Sequence, residues 1–496
     1  MSTQIPIVYG TQSGNSLHVS QLIESKLVHY STCIVPIDEF SLENFLHGNT
    51  FIFICSTYGN GDFPFAAQYF YNCLVNESMP VDFLKNCNIA VFGLGDSSYA
   101  KFNFASKKLF RIFSKLGANL FIERGNGNMQ DEQGYYTSLF PWIEKLIVNL
   151  QSFNIKGAEL IRKEKRAYDA TIIAKAMLTP SDHFQDILEV GFTVEDYNDF
   201  EPGDTILISP ANYNWREFCE YNGNMCDEDY VKNSMDYNFV PYFYVFVEIV
   251  KYLEDEPLND HLFRNPERKE AITKRIREMS TDYELYFDYV KRPKRTFFEV
   301  LCDFGLKLPF SFLRKVIPKI RPRYFTLTKK GSEYYLTIAL VEYQNSIKAK
   351  RKGLCSQYLK EINVSETIKV GMIKSHLFYD SNNLLFICTG TGVTLPRAFW
   401  NFIGDKNIVV YYGYRHDEKD RLYVEEVEKR KNVKIVYAPS RMGEELYVQE
   451  IFYKYFNDPI DKYLIYVSGR TRLNKEVRQM FTKKYGEELH FQAETW

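Results

Sequence analysis

Short apolar runs alternate with longer amphipathic stretches through the first 150 residues, and this alternation constrains the fold more than any other feature. The runs QIPIVYG, TCIVPI, TFIFIC, NIAVFGL and ANLFIE are rich in β-branched and aromatic side chains. Between them lie patterns such as SLHVSQLIESKL and NFASKKLFRIFSKL. Strands that are apolar throughout need cover on both faces, and helical connections supply it. The expectation over residues 1–150 is a doubly wound parallel sheet.

The pattern then changes. Residues 151–166 (QSFNIKGAELIRKEKR) are polar and read as a linker. From Tyr168, YDATIIAKAMLT and HFQDILEVGFTV alternate like antiparallel strands, and EPGD turns before TILISP, which predicts a barrel over 167–380. A block at about 211–310, with charged helical stretches such as RNPERKEAITKRIREMS, interrupts it, and the barrel resumes at RPRYFTL. Residues 381–496 form a second alternating region: LLFICTG, NIVVYYG, VKIVYAPS and YLIYVSG, each followed by a helical pattern. The whole is an α/β multidomain chain.

Composition narrows the function classes. Of 496 residues, 45% are apolar and 25% charged, as in globular proteins with large cores. A net charge of −2 argues against a general nucleic-acid binder. The nine Cys show no C-x-x-C pair and no zinc spacing, which reads as reduced thiols in a cytoplasmic protein without a metal site. No run of about 18 apolar residues occurs, so no membrane span is expected. MSTQIPIVYG enters a strand almost at once, so no signal peptide or membrane anchor is expected.

In an open parallel sheet, ligands bind beyond the carboxyl ends of the strands. Three loops lie at such ends. Thr11, Gln12, Ser13, Gly14, Asn15 and Ser16 combine a glycine for a tight turn, hydroxyl donors and a helix start that favours an anion. The loop lacks the Lys of a triphosphate loop, so a monophosphate suits it better. Thr57, Tyr58, Gly59 and Asn60 follow the third strand. Leu94, Gly95, Asp96, Ser97, Ser98, Tyr99, Ala100, Lys101, Phe102 and Asn103 follow the fourth. Two tyrosines at one sheet edge can sandwich a flat ring. Singly, a capping loop or a surface aromatic explains each; the three together favour a ligand.

In the second half, Arg323, Phe325 and Leu327 share one face of a predicted strand, with Tyr324 and Thr326 on the other. Such a strand offers a cation for a pyrophosphate beside an aromatic, although alone it is better read as a basic strand edge. Gly353, Leu354, Cys355 and Ser356 open a helix whose amides suit a phosphate. Cys355 has no nearby His and is expected to be a buried small residue. Cys388-Thr389-Gly390-Thr391-Gly392-Val393 joins a strand to a helix, where glycines admit a dinucleotide.

These segments carry a family resemblance. YGTQSGNS, STYGNGDFP and GLGDSSYAKFN resemble the FMN-binding flavodoxin module of the diflavin reductases, and RPRYFTL with KGLCSQYL resemble the FAD-binding motifs of the ferredoxin-reductase-like module. The resemblance covers nearly the whole chain. It implies a flavodoxin-like doubly wound sheet, an antiparallel β-barrel FAD domain with a helical insertion, and a ferredoxin-reductase-like α/β NADP domain. Thr11 to Ser16 would hold the FMN phosphate and Tyr58 and Tyr99 flank its ring, with Gly125, Asn126, Gly127 and Asn128 as a further flavin-side loop. FAD would be held by Arg323, Tyr324, Phe325, Thr326, Gly353, Leu354, Cys355 and Ser356. The terminal Trp496 would stack on its ring and move aside for the nicotinamide. Thr391, Arg397, Ser440, Arg441, Tyr447 and Gln449 would bind NADPH.

One departure bears on nucleotide preference. The family places a Lys between its Ser-Arg pair and the Tyr at 447; here Glu444, Glu445 and Leu446 occupy that stretch. Two carboxylates repel a phosphate, which works against NADPH relative to NADH, and Arg472 is the candidate to compensate. GLGDSSYAKFNFASKKL, RPKRTFFEVLCDF, KGLCSQYL and FQAETW resemble the soluble members that serve cytosolic iron–sulfur cluster assembly. The implied partner is an iron–sulfur electron acceptor of the anamorsin type. The alternatives are a reductase for a haem or other partner, and a non-catalytic flavoprotein scaffold.

Overall fold

A computed structural model describes the chain apart from residues 1–3, 48, 60, 153–159, 164–165, 224–225, 256–259, 376, 444–445, 487–488, 490 and 496. It divides into two compact units, Met1–Lys165 and Arg166–Trp496.

The first unit is a parallel sheet of β1 (Ile5–Gly10), β2 (Thr32–Pro36), β3 (Thr50–Ser56), β4 (Asn88–Gly95) and β5 (Gly125–Asn128), in the order β2-β1-β3-β4-β5. Every residue of central strand β3 is buried, as its unbroken apolar run requires. Phe40, Phe45, Phe51, Phe53, Phe70 and Phe113 fill one face of the sheet. The order reverses between β1 and β3, which opens a crevice at their carboxyl ends. The fifth strand differs from expectation. ANLFIE makes a single bridge, Asn119 to Asn88, and the strand is instead the polar GNGN of β5. Apolar content there marks packing against the core (Leu120) rather than strand pairing. Of the expected linker, residues 160–163 join this unit: Asn44 bonds Ile161, and Phe40 bridges to Arg162. Residues 153–159 and 164–165 of that stretch lie outside the described residues.

The second unit opens with an antiparallel sheet. Its strands are β6 (Ala167–Met177), β7 (Ile187–Val194), β8 (Thr205–Ile208), β9 (Arg323–Thr326), β10 (Thr328–Lys330), β11 (Glu333–Ala339) and, after the small hairpin β12 (Glu342–Gln344) and β13 (Lys350–Lys352), β14 (Thr367–Ile373). The order is β10-β11-β7-β6-β14-β8-β9. The two edge strands β9 and β10 are separated only by the buried Leu327, so the sheet curls into a nearly closed barrel. Helices from Trp215–Asn222 to Phe310–Val316 are inserted between β8 and β9. The basic helix Lys269–Thr281 buries Ile272, Ile276 and Met279, and turns Arg275 and Arg277 outward to Glu278 and Glu254.

The chain ends in a second parallel sheet: β15 (Asn383–Thr389), β16 (Asn407–Tyr414), β17 (Val433–Pro439), β18 (Leu464–Gly469) and β19 (Gln492–Thr495), ordered β17-β16-β15-β18-β19. Alternate residues of β15 feed two cores: Leu384, Phe386 and Cys388 on one face, Leu385 and Ile387 on the other. The reversal point lies between β15 and β18. Among the described residues, no helix is long and apolar enough to cross a membrane, and no cluster of three His, Cys, Asp or Glu is placed to hold a metal.

Candidate cofactor and nucleotide sites

The first crevice is built from the loops after β1, β3 and β4. Gly14 sits at φ +96°, a left-handed conformation that favours glycine, and turns the chain into the helix Asn15–Lys26. The Thr11 hydroxyl accepts from the Gly14 amide at 2.9 Å and the Ser16 amide at 3.4 Å, closing the loop on itself. The Ser16 hydroxyl is buried with no partner in the protein, at the helix start where an anion would meet it. The next two loops are tied to each other: Ala105 donates to the Thr57 hydroxyl at 3.3 Å, and Thr57 donates to the Leu94 carbonyl at 2.8 Å. Tyr58 and Asp62 exchange backbone bonds, closing a tight turn around Gly59. Asn60 lies outside the described residues.

Asp96 turns the β4 loop by accepting from the amide and hydroxyl of Ser98. Burial works against its carboxylate, yet the bonds from Ser98 and Gln130 overcome this and hold its pKa below the ordinary value. Tyr99 follows, 66% exposed, with its ring available for stacking. Ala100 is exposed, Lys101 and Phe102 are half-buried, and Asn103 is fully buried, bonding the Gly127 carbonyl at 3.2 Å. Asn128 is spent on structure: its side-chain oxygen takes the Ser97 amide at 2.9 Å and its amide donates to Asp131 at 2.7 Å. The loop expected at 125–128 is therefore a strand end that braces the Asp96–Tyr99 turn.

At the barrel edge, β9 pairs with β8 in the register Thr205–Thr326 and Ile208–Arg323. Phe325 departs from expectation. It packs against the barrel core, because strand alternation points it the same way as the buried Leu327. Tyr324 and Thr326 occupy the opposite face. Arg323 lies beside Cys355, which brings the two expected FAD motifs together. Burial and neighbouring Arg321 lower its pKa, while Cys355, Asp236 and Tyr324 oppose the shift. The Cys355 thiol is buried and pushed up to about 12, which fits a packed side chain and not a nucleophile. The Ser356 hydroxyl is occupied by the Gly353 carbonyl and the Val341 amide, so at this helix start it is a brace.

Sequence reasoning missed Glu494. The terminal strand β19 pairs with β18 and brings its carboxyl beside the Thr326 hydroxyl. Burial pushes its pKa up to about 7, against the bond from Thr326, and its Oε2 has no partner in the protein. No local pattern marks this residue. Trp496, the expected ring lid two residues on, lies outside the described residues.

The second crevice, between β15 and β18, opens on a cavity of about 480 Å³. Thr389, Gly390 and Thr391 form its floor, and Ser440, Arg441, Tyr447 and Gln449 line its wall, as expected of a nucleotide site. Ser440 folds its hydroxyl back onto the Tyr414 carbonyl at 3.0 Å, and Gln449 is held by Glu476 at 3.1 Å. Ser468 is fully buried and donates to the Gly392 carbonyl at 2.8 Å, pinning the glycine loop to β18. His183, Phe184, Arg415 and Arg470 also line this cavity and were not anticipated as ligands. Glu444 and Glu445 lie outside the described residues.

Arg397 is not part of this wall. It is 2% exposed, donates to Glu189 of β7 at 2.7 Å and grips Glu426 at 3.2 and 3.1 Å. Burial opposes its charge, but Tyr423, Glu426 and Glu189 overcome that and hold it firmly ionised. Its donors are committed to two carboxylates, so the expected phosphate ligand is instead an internal clasp between the barrel and the terminal sheet.

Residues 7–142 match the flavodoxin family model and 386–479 match that of the oxidoreductase NAD-binding domain. The chain is 26% identical to the NADPH-dependent diflavin oxidoreductase 1 of Schizosaccharomyces pombe, over 86% of this chain and 83% of that protein. It is 25% identical to the mouse protein of the same name, over 99% of both, and 24% to that of Saccharomyces cerevisiae, over 86% and 84%.

Proposed function

We propose that this chain, a diflavin reductase by the relatives it matches along its length, carries electrons from NADPH through FAD and FMN to an iron–sulfur acceptor of the anamorsin type in cytosolic cluster assembly. The observation that carries the reading is that one polypeptide holds two sheet-reversal crevices and, between them in sequence, a barrel whose edge strand β9 meets the Glu494 carboxyl brought up by the terminal strand, its Oε2 buried without a partner in the protein. When bound, FAD takes a hydride from nicotinamide and FMN hands on single electrons, which suits a one-electron acceptor. The nine free thiols support a cytosolic setting.

The residues present fit both flavins. The buried Ser16 hydroxyl and the Thr11-braced turn accommodate a phosphate, and the exposed Tyr99 ring offers a stacking face. Removing that ring in Tyr99→Ala is expected to weaken FMN by about tenfold, since an aromatic stack contributes roughly 0.5–1.5 kcal/mol beyond its area. FAD content should stay unchanged in flavin extraction; loss of FAD alone contradicts the assignment. Arg323 and the Gly353–Ser356 helix start accommodate the FAD phosphates, with Tyr324 and Thr326 on the outward face of β9.

Glu494 holds a proton beside Thr326. Its carboxyl is neutral below about pH 7 and ionised above it. A pKa raised above the ordinary carboxyl value means that stability is present at low pH and declines as pH rises through the folded value. Because Glu494 meets Thr326 on the β9 edge assigned to FAD, the rate at which NADPH bleaches the flavin is expected to titrate near pH 7, and Glu494→Gln to flatten that titration with both flavins still bound. An unaltered pH profile in the variant removes Glu494 from the proton inventory.

The purified protein should be yellow and release FMN and FAD in equal amounts. Reduced enzyme should then reduce the cluster of an anamorsin-type protein from the same organism. A single flavin on extraction rejects the two-flavin reading. Two flavins without cluster reduction rejects the acceptor and favours another redox partner.

A further inference from the structure

Four guanidinium groups, those of Arg415, Arg441, Arg470 and Arg472, line the cavity at the β15–β18 crevice. They are not equivalent. Arg472 is tied to Glu476 at 2.6 Å, so the residue expected to compensate for the absent Lys already has a carboxylate partner. Arg441 stands at the end of β17 beside Ser440, away from the reversal point. Arg415 and Arg470 flank the glycine loop from its two sides. Arg415 follows β16, the strand on one side of β15, and Arg470 follows β18, the strand on the other.

Arg415 is fixed in place. Its guanidinium lies 3.4 Å from the Phe184 ring centroid, and its amide donates to both Asp420 oxygens at 3.1 and 3.0 Å. Lys419 pairs with Asp182 at 2.5 Å, and His183 lies 3.8 Å from Asp420, so the barrel loop carrying Phe184 is latched to the loop carrying Arg415. Burial, then Arg441 and Arg470, lower the pKa of Arg415, as expected of cations crowded around one space. Crowding of this kind is unfavourable for the protein alone and favourable once an anion sits among the charges.

We propose that Arg415 and Arg470 form a pincer across the Thr389–Thr391 loop that grips the pyrophosphate of the nicotinamide nucleotide. The proposal rests on the nucleotide reading above and deepens it. The pincer acts on NADH and NADPH alike, so discrimination between them falls to Ser440 and Arg441, which sit at a different strand end.

Two fragments separate the roles on the full-length holoenzyme. ADP-ribose carries the pyrophosphate without a 2′-phosphate, and 2′-AMP carries the 2′-phosphate without a pyrophosphate. Calorimetric titration should show Arg470→Gln weakening ADP-ribose by about tenfold, the loss of one charge-assisted contact, with 2′-AMP changed less than about threefold. Arg441→Gln should show the reverse, and Arg470→Lys a smaller loss than Arg470→Gln because a point charge lacks the fork. Equal weakening of both fragments by Arg470→Gln, or no weakening of ADP-ribose, overturns the pincer while the nucleotide reading stands. Failure of the unmodified protein to bind either fragment overturns both. Arg470 is exposed, so its variants test binding without disturbing a core.

Discussion

Arg397→Met is expected to destabilise the second unit by about 3–5 kcal/mol, because it strands two carboxylates that the guanidinium now neutralises inside the protein. Glu426 is the more exposed to this loss. Burial already works against its charge, and Arg397, Asn401 and Trp400 hold its pKa below the ordinary value, with Lys330 at 3.8 Å a more distant cation. Glu189 keeps a bond from the Tyr423 hydroxyl at 3.0 Å, which softens its share. The fall should appear as a lower unfolding midpoint in denaturant, with NADPH affinity of the folded protein unchanged. Pairing Arg397→Met with Glu426→Gln should recover part of the loss, because contacting residues couple in a double-mutant cycle. A variant of normal stability that binds NADPH weakly would return Arg397 to the nucleotide site.

Gly392→Ala is the second large effect. An added Cβ would stand 2.4 Å from the Ser468 carbonyl oxygen, 2.7 Å from its carbon and 3.0 Å from the Gly469 nitrogen. All three are backbone atoms of β18, so no side chain can swing aside. The loop must withdraw from β18, breaking the 2.8 Å bond from the Ser468 hydroxyl and reshaping the floor on which the nucleotide rests. Displacement of a reactant by about 1 Å costs on the order of a hundredfold in rate, and that is the expected fall in NADPH-driven flavin bleaching. Flavin content should be unchanged. Gly404→Ala is the contrast: no heavy atom lies within 4 Å of an added Cβ there, and the rate should hold. Unchanged bleaching in Gly392→Ala would mean that the nucleotide does not enter at this crevice.

The sequence by itself determined the layers, their order and the places where ligands enter. Unbroken apolar runs demanded a sheet covered on both faces, and the loops of Thr11–Ser16 and Gly390–Val393 fall at strand ends because glycine and hydroxyl patterns are local signals. Only the tertiary structure decided which charges face those entrances. Arg397 looked like a phosphate ligand beside the glycine loop, yet its carboxylate partner Glu189 lies 208 residues away, and no local pattern reports such a neighbour. Glu494 became a proton holder only when β19 joined the sheet and carried it to Thr326. Arg415 was braced by Phe184 in the same way, from a barrel loop far away in sequence. The reason is physical: periodicity is set by the backbone within a few residues, whereas burial and charge pairing depend on what the completed fold brings near.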